Sequence, residues 1–309
     1  MIVIEDKYIL DRKKDMSRLG MALIAQGIIF NIAGLFISDI IKDEGVSIIL
    51  TAILGILPLY LYTGKNNFKI YIKSERKKFT FLDLLVLFSI MMVLNTLASQ
   101  IFNYIEVFLN LFGLSAVSEA NSGEASATIS MVMYGIIIAP IVEEVIYRGV
   151  LMRSLEKYGA YAAILISSIL FGTMHQDLLQ SPVTMFVGLT LAYAAYKYSI
   201  KLSIILHILN NLTVEMGAQL DLSKGLEGSI FNIVINLLIS VTFVIFVFKN
   251  RKKIKRKIQD IKEKYLKIKE KNKELKIKGS IKVFFTRKSV IILLAIDLII
   301  MFAGIGVMK

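Results

Sequence analysis

The stretch "ATISMVMYGIIIAPIVEEVIYRGVL", Ala127 to Leu151, runs without a charged residue as far as Val142 and then sets Glu143, Glu144 and Arg148 into apolar sequence. Apolar runs of this kind read as helices crossing a bilayer, which takes about 20 residues. A charge at the bilayer centre costs about 2.5–3.5 kcal/mol, so ionisable groups in such helices face protein or a water-filled cavity. The fold and the site are therefore posed together by one segment.

The same pattern recurs on both sides. Apolar blocks occupy roughly 17–41, 46–63, 81–113, 127–142, 160–174, 182–196, 202–217, 229–248 and 289–308. The chain is 56% hydrophobic with a mean hydropathy of +0.66, against about 45–50% apolar residues in ordinary soluble domains. The expected architecture is all-α: a polytopic membrane protein with about eight or nine membrane helices. Its organisation reads as a membrane domain over 1–248 with a catalytic core near 129–220, a basic amphipathic segment over 249–288, and a C-terminal membrane helix over 289–309.

The net charge of +13 is concentrated in one place, because residues 249–288 hold 18 lysines and arginines against 4 acids. Outside that tract the chain is near neutral, so a nucleic acid is not the expected partner. Ile254, Ile258, Ile261, Tyr265, Ile268 and Leu275 recur at helical spacing among the lysines. The pattern fits a helix lying on anionic lipid or, equally, a solvated helix or coiled coil recruiting a cytosolic partner. Basic residues also follow the second and sixth apolar blocks and precede the first, whereas 115–128 has none. The positive-inside rule then makes the N-terminus cytoplasmic. The first span carries no small-residue cleavage site and reads as retained. The lysine- and isoleucine-heavy composition suggests a bacterial cell membrane.

Cysteine is absent. That excludes a disulfide framework, a thiolate nucleophile and a cysteine-held metal. The remaining chemistry rests on few residues. Glu144 and Arg148 form an i,i+4 pair with the acid on the N-terminal side, the favourable order. Glu143 lies about 100° around the helix and is free to point elsewhere. The chain's two histidines, His175 in "FGTMHQ" and His207 in "ILHILNNL", fall at or within apolar blocks, with Asn211 one turn after His207.

Such a set suits hydrolysis. Glu143 and His175 would hold a water and take its proton, while His207 and Asn211 would donate to a tetrahedral oxyanion. Alternatively, Glu143, His175 and His207 would bind a divalent metal such as zinc with an open water position. The "HExxH" string of zinc proteases is missing, so a metal-independent site stays equally open. Two further classes remain: a proton-coupled transporter using these groups as a relay, and a non-catalytic bacteriocin self-immunity or scaffold protein.

Together the motifs "EEVIYRGVL", "FGTMH" and "HILNN" resemble those of the CAAX prenyl protease and bacteriocin-processing family of intramembrane proteases, the CPBP or Abi group. The resemblance spans about 129–220, with Lys201 standing in a turn that often reads Thr-x-Ser-Leu in the family. It implies an all-helical core with a cavity open to the cytosol, and a membrane-associated peptide or lipidated protein as substrate. By motif, Glu143 and His175 would activate water, Glu144 and Arg148 would brace the site, and His207 with Asn211 would form the oxyanion hole.

Overall fold

The computed structural model describes residues 2–116, 128–222 and 275–307, with scattered positions between 241 and 259. Nearly half of the basic tract, and most of the 229–248 block and of the basic-free loop, lie outside the described residues. The helices are α1 (Ile2–Ile40), α2 (Glu44–Gly55), α3 (Leu57–Lys73) and α4 (Phe81–Asn110). They are followed by α5 (Ile129–Glu156) and by α6 (Ala160–Thr173), α7 (Gln180–Lys197), α8 (Ile200–Leu222), α9 (Leu275–Phe285) and α10 (Lys288–Ala303).

Local sequence explains several boundaries. Thr80 and Asp83 form a reciprocal capping box that starts α4, satisfying two amides that the first helical turn leaves unpaired. Asp43 caps α2 by accepting from the Val46 amide. It also accepts from the Ser130 hydroxyl at 2.5 Å, which ties the start of α2 to the start of α5. These bonds hold the exposed Asp43 carboxyl below its usual range, the Ser130 bond contributing most.

Among the described residues three helical stretches, Leu10–Ile40, Phe81–Asn110 and Ile129–Glu156, are long and apolar enough to cross a membrane. The bent pair α2–α3, with a 50° angle between its halves, makes a fourth. Large apolar side chains stand exposed along these helices and along α10, including Leu35, Phe36, Leu97, Ile101, Phe108, Ile299 and Phe302. In water such a surface would be unfavourable; in hydrocarbon it is the expected face. The chain is an integral membrane protein.

Helix α5 sits at the centre. It packs on α3, α6 and α8; α6 and α7 form an antiparallel hairpin, and α4 closes over α7 and α8. On the far side α1 gathers α2, α3 and α10. A short antiparallel pair, β1 (Leu114–Ser115) and β2 (Gly306–Val307), joins the chain just after α4 to the chain just after α10. The core is continuous through Leu19, Leu59, Val150, Leu151, Ile166, Ala194 and Leu202.

Candidate active site

Helix α5 does not wind uniformly. It passes through wide π-helical turns at Tyr134–Ile138 and Val145–Met152, on either side of the segment that carries Glu143 and Glu144. The first wide turn has a cause in the sequence. Pro140 has no amide hydrogen, and in an α-helix its ring would press on the carbonyl four residues back. The Ala139 amide bonds instead to the Tyr134 carbonyl, five residues back. The Gly135 carbonyl is left without a donor from its own helix, since the corresponding residue is Pro140. Asn211 on α8 donates its Nδ2 to it at 2.9 Å. The second wide turn is supported by α6, whose Ser167 donates to the Tyr147 carbonyl at 2.9 Å.

Glu144 and Arg148 are fully buried, each with a side chain 0% exposed. Arg148 Nε stands 3.4 Å from Glu144 Oε2, its Nη2 donates to the Gly188 carbonyl at 3.2 Å, and its guanidinium lies 4.1 Å over the Phe171 ring. Glycine at 188 favours that close approach. A Cβ there would come within 3.0 Å of the Phe171 ring and 3.3 Å of Arg148 Nη2.

Both Glu144 oxygens are committed. Oε2 accepts from Ser203, whose Oγ also lies 2.9 Å from the Leu191 carbonyl, and Oε1 lies 3.1 Å from His207 Nδ1. A carboxylate only accepts, so that contact puts a proton on Nδ1. It turns Nε2 of His207 toward Glu143, whose Oε2 is 3.7 Å away.

His175 follows α6. Its Nδ1 lies 2.9 Å from the Phe171 carbonyl, an acceptor, which leaves Nε2 as the ring's basic nitrogen. Phe171 is the platform between these groups. Its ring meets the rings of Tyr147, His175 and His207 edge-on, at centroid distances of 5.6, 5.2 and 5.5 Å.

Glu143, His175, His207 and Asn211 line one cavity of about 670 Å³, whereas Glu144 and Arg148 stand behind its wall. The opposite wall is polar. Ser99 donates to Asn95 Oδ1, Asn95 Nδ2 to Asn210, Asn210 Nδ2 to Asn211, and Asn211 to the Gly135 carbonyl. This directional chain of amides crosses from α4 to α8 to α5. Each amide in it keeps a second hydrogen, and all three asparagines line the cavity.

Ser203, Asn95 and Asn210 were not among the sequence candidates. Ser203 had a legible signal, lying one turn before His207 on the same face of a helix. Asn95 and Ser99 had one too, as a polar pair at i,i+4 inside an apolar block.

The metal reading fares differently. Among the described residues no group of three or more His, Asp or Glu side chains is placed to hold an ion. Glu143, His175 and His207 share the cavity without being grouped to hold an ion. The side chains as placed do not fit a metal.

Comparison with known proteins bears on the same segment. Residues 125–213 match the family model described as Rce1-like, type II CAAX prenyl endopeptidase Rce1-like. No curated protein and no solved structure matches significantly. The matched segment holds Glu143, Glu144, Arg148, His175, His207 and Asn211 together, and over that segment the chain is similar to the type II CAAX prenyl endopeptidase family.

Proposed function

We propose that the cavity hydrolyses a peptide bond of a membrane-associated, prenylated protein or peptide, using water activated by Glu143 and His175. The observation that carries this reading is the single cavity lined by Glu143, His175, His207 and Asn211, which arrive from α5, the α6–α7 turn and α8. The family description supplies the substrate class, a prenylated polypeptide.

In this mechanism Glu143 and the basic Nε2 of His175 accept the two hydrogens of one water, aiming its lone pair at the scissile carbonyl. Glu143 takes the proton as the carbon–oxygen bond forms and later delivers it to the departing amine, the usual dual use of a general base. His207, protonated on both nitrogens, is held at Nδ1 by Glu144 and presents Nε2–H to the oxyanion. Asn211 adds its second Nδ2 hydrogen. Each donor aimed at developing charge is worth about 2.7–4 kcal/mol.

The buried ion pair has a supporting task. Arg148 compensates Glu144, so Glu144 stays anionic without water and fixes the His207 ring. We place the cavity mouth and the N-terminus on the cytoplasmic side, following the lysine and arginine bias. The basic tract 249–288 then faces anionic lipid or a cytosolic partner.

The test is cleavage of a fluorogenic peptide bearing a prenylated cysteine, by purified protein in detergent or liposomes. Wild type should cleave it. Glu143→Gln should lose about 10²–10⁴-fold in kcat, the range for removing a general base. Equal cleavage by both would remove the reading.

A further inference from the structure

Helix α10, "KSVIILLAIDLIIMFA", contains a single acid, Asp297. It is 5% exposed, a position where a carboxylate is retained only with partners and usually for function. Asp297 plays no part in the hydrolysis outlined above, and its helix lies outside the segment matched by the family. Its Oδ1 accepts from Gln176 Nε2 at 2.9 Å, across 121 residues of chain.

Gln176 is the residue directly after His175. At φ 53° it is the one non-glycine residue with positive φ among the described residues. Such a conformation is strained for a side chain with a Cβ and persists only where the surroundings hold it. The turn it makes has local consequences. It reverses the chain so that Asp177 accepts from the Leu179 and Gln180 amides and starts α7. It also leaves His175 seated on the Phe171 carbonyl with its ring lining the cavity.

We propose that Asp297 is a positioning residue for His175: by gripping Gln176, the C-terminal helix holds the strained turn that presents the imidazole to the cavity. The inference rests on the proposed hydrolysis and adds that the site is incomplete without α10. Released from Asp297, Gln176 relaxes toward negative φ and His175 swings from its place. Misplacement by about 1 Å is enough to cost about 10²-fold in rate.

The experiment exchanges donor and acceptor. Gln176→Glu sets two carboxylates face to face; adding Asp297→Asn restores one donor and one acceptor in the reverse sense. On the prenylated peptide, Gln176→Glu should lower kcat by about tenfold or more with KM within about twofold. The double variant should return to within about threefold of wild type, a non-additive recovery expected of groups in direct contact. Thermal unfolding midpoints of all forms separate this from loss of fold.

With wild type active and all forms folded, a double variant no better than Gln176→Glu overturns the positioning role alone. A wild-type protein that leaves the peptide intact removes the proposed function, and this inference with it.

Discussion

Asn211 Nδ2 donates to the Gly135 carbonyl at 2.9 Å, filling the gap that Pro140 opens in the backbone of α5. One side chain thus braces the helix that carries Glu143 and also lines the cavity into which Glu143 points. These two uses are separable. Asn211→Ala leaves a buried carbonyl unpaired, at about 1–3 kcal/mol, and removes an oxyanion donor. Pro140→Ala supplies the missing amide hydrogen. In the double variant the unfolding midpoint should recover toward that of Pro140→Ala alone, while kcat stays depressed. Recovery of kcat along with stability would mean that Asn211 acts only as a brace.

Ser203 is expected to matter through Glu144. Ser203→Ala removes a hydroxyl donor from a carboxylate that has no access to water. The cost in stability should be about 1–3 kcal/mol, and kcat should fall because the carboxylate that orients His207 is freed to rotate. Replacing Glu144 itself with alanine strands Arg148 in the interior. That should cost about 3–5 kcal/mol, read by denaturation in detergent.

The α6–α7 hairpin tolerates no side chain at Gly172. A Cβ there would stand 2.2 Å from Met185 Cγ and 2.6 Å from the Ser181 carbonyl oxygen. The second of these is backbone, so the helices must part. Gly172→Ala should destabilise by about 1–3 kcal/mol, the usual cost of overpacking. It should also lower activity by shifting Phe171 and His175.

The contact between Asp43 and Ser130 carries a pH signature. The carboxyl is held below its usual value of 3.8, so its stabilising effect is complete above that value and is lost as the pH falls through the lower, folded-state value. Wild type should unfold at a higher temperature than Asp43→Ala at neutral pH. The difference should vanish in strongly acidic buffer, and a difference that persists there would assign the effect to something other than this carboxylate.

The sequence made the membrane character and the principal side chains of the cavity legible because both rest on rare events. Charges are costly in apolar helices, and only two histidines occur. Glu144 and Arg148 were readable as a pair by helical spacing alone. What escaped depends on three-dimensional partners. The wide turns of α5 follow from Pro140 together with donors from α6 and α8, and a one-dimensional period of 3.6 does not reveal them. The packing of Phe171, with Arg148 over its ring and both histidines edge-on to it, is likewise not written in the motif FGTMH. Asp297 was in plain view as a lone acid in an apolar block. Its partner Gln176 is distant in sequence, so nothing local connected it with His175. The span count was expected from block number. Among the described residues three or four helical stretches have the length and apolarity to cross, since several blocks fold as shorter helices and most of the 229–248 block lies outside the described set.

The most direct test of the account is the rate at which purified wild type and Glu143→Gln cleave the prenylated peptide, measured side by side with matched unfolding midpoints. The account predicts cleavage by wild type and a loss of about 10²-fold or more in kcat for the variant, with the fold intact. Cleavage by Glu143→Gln at the wild-type rate would contradict it.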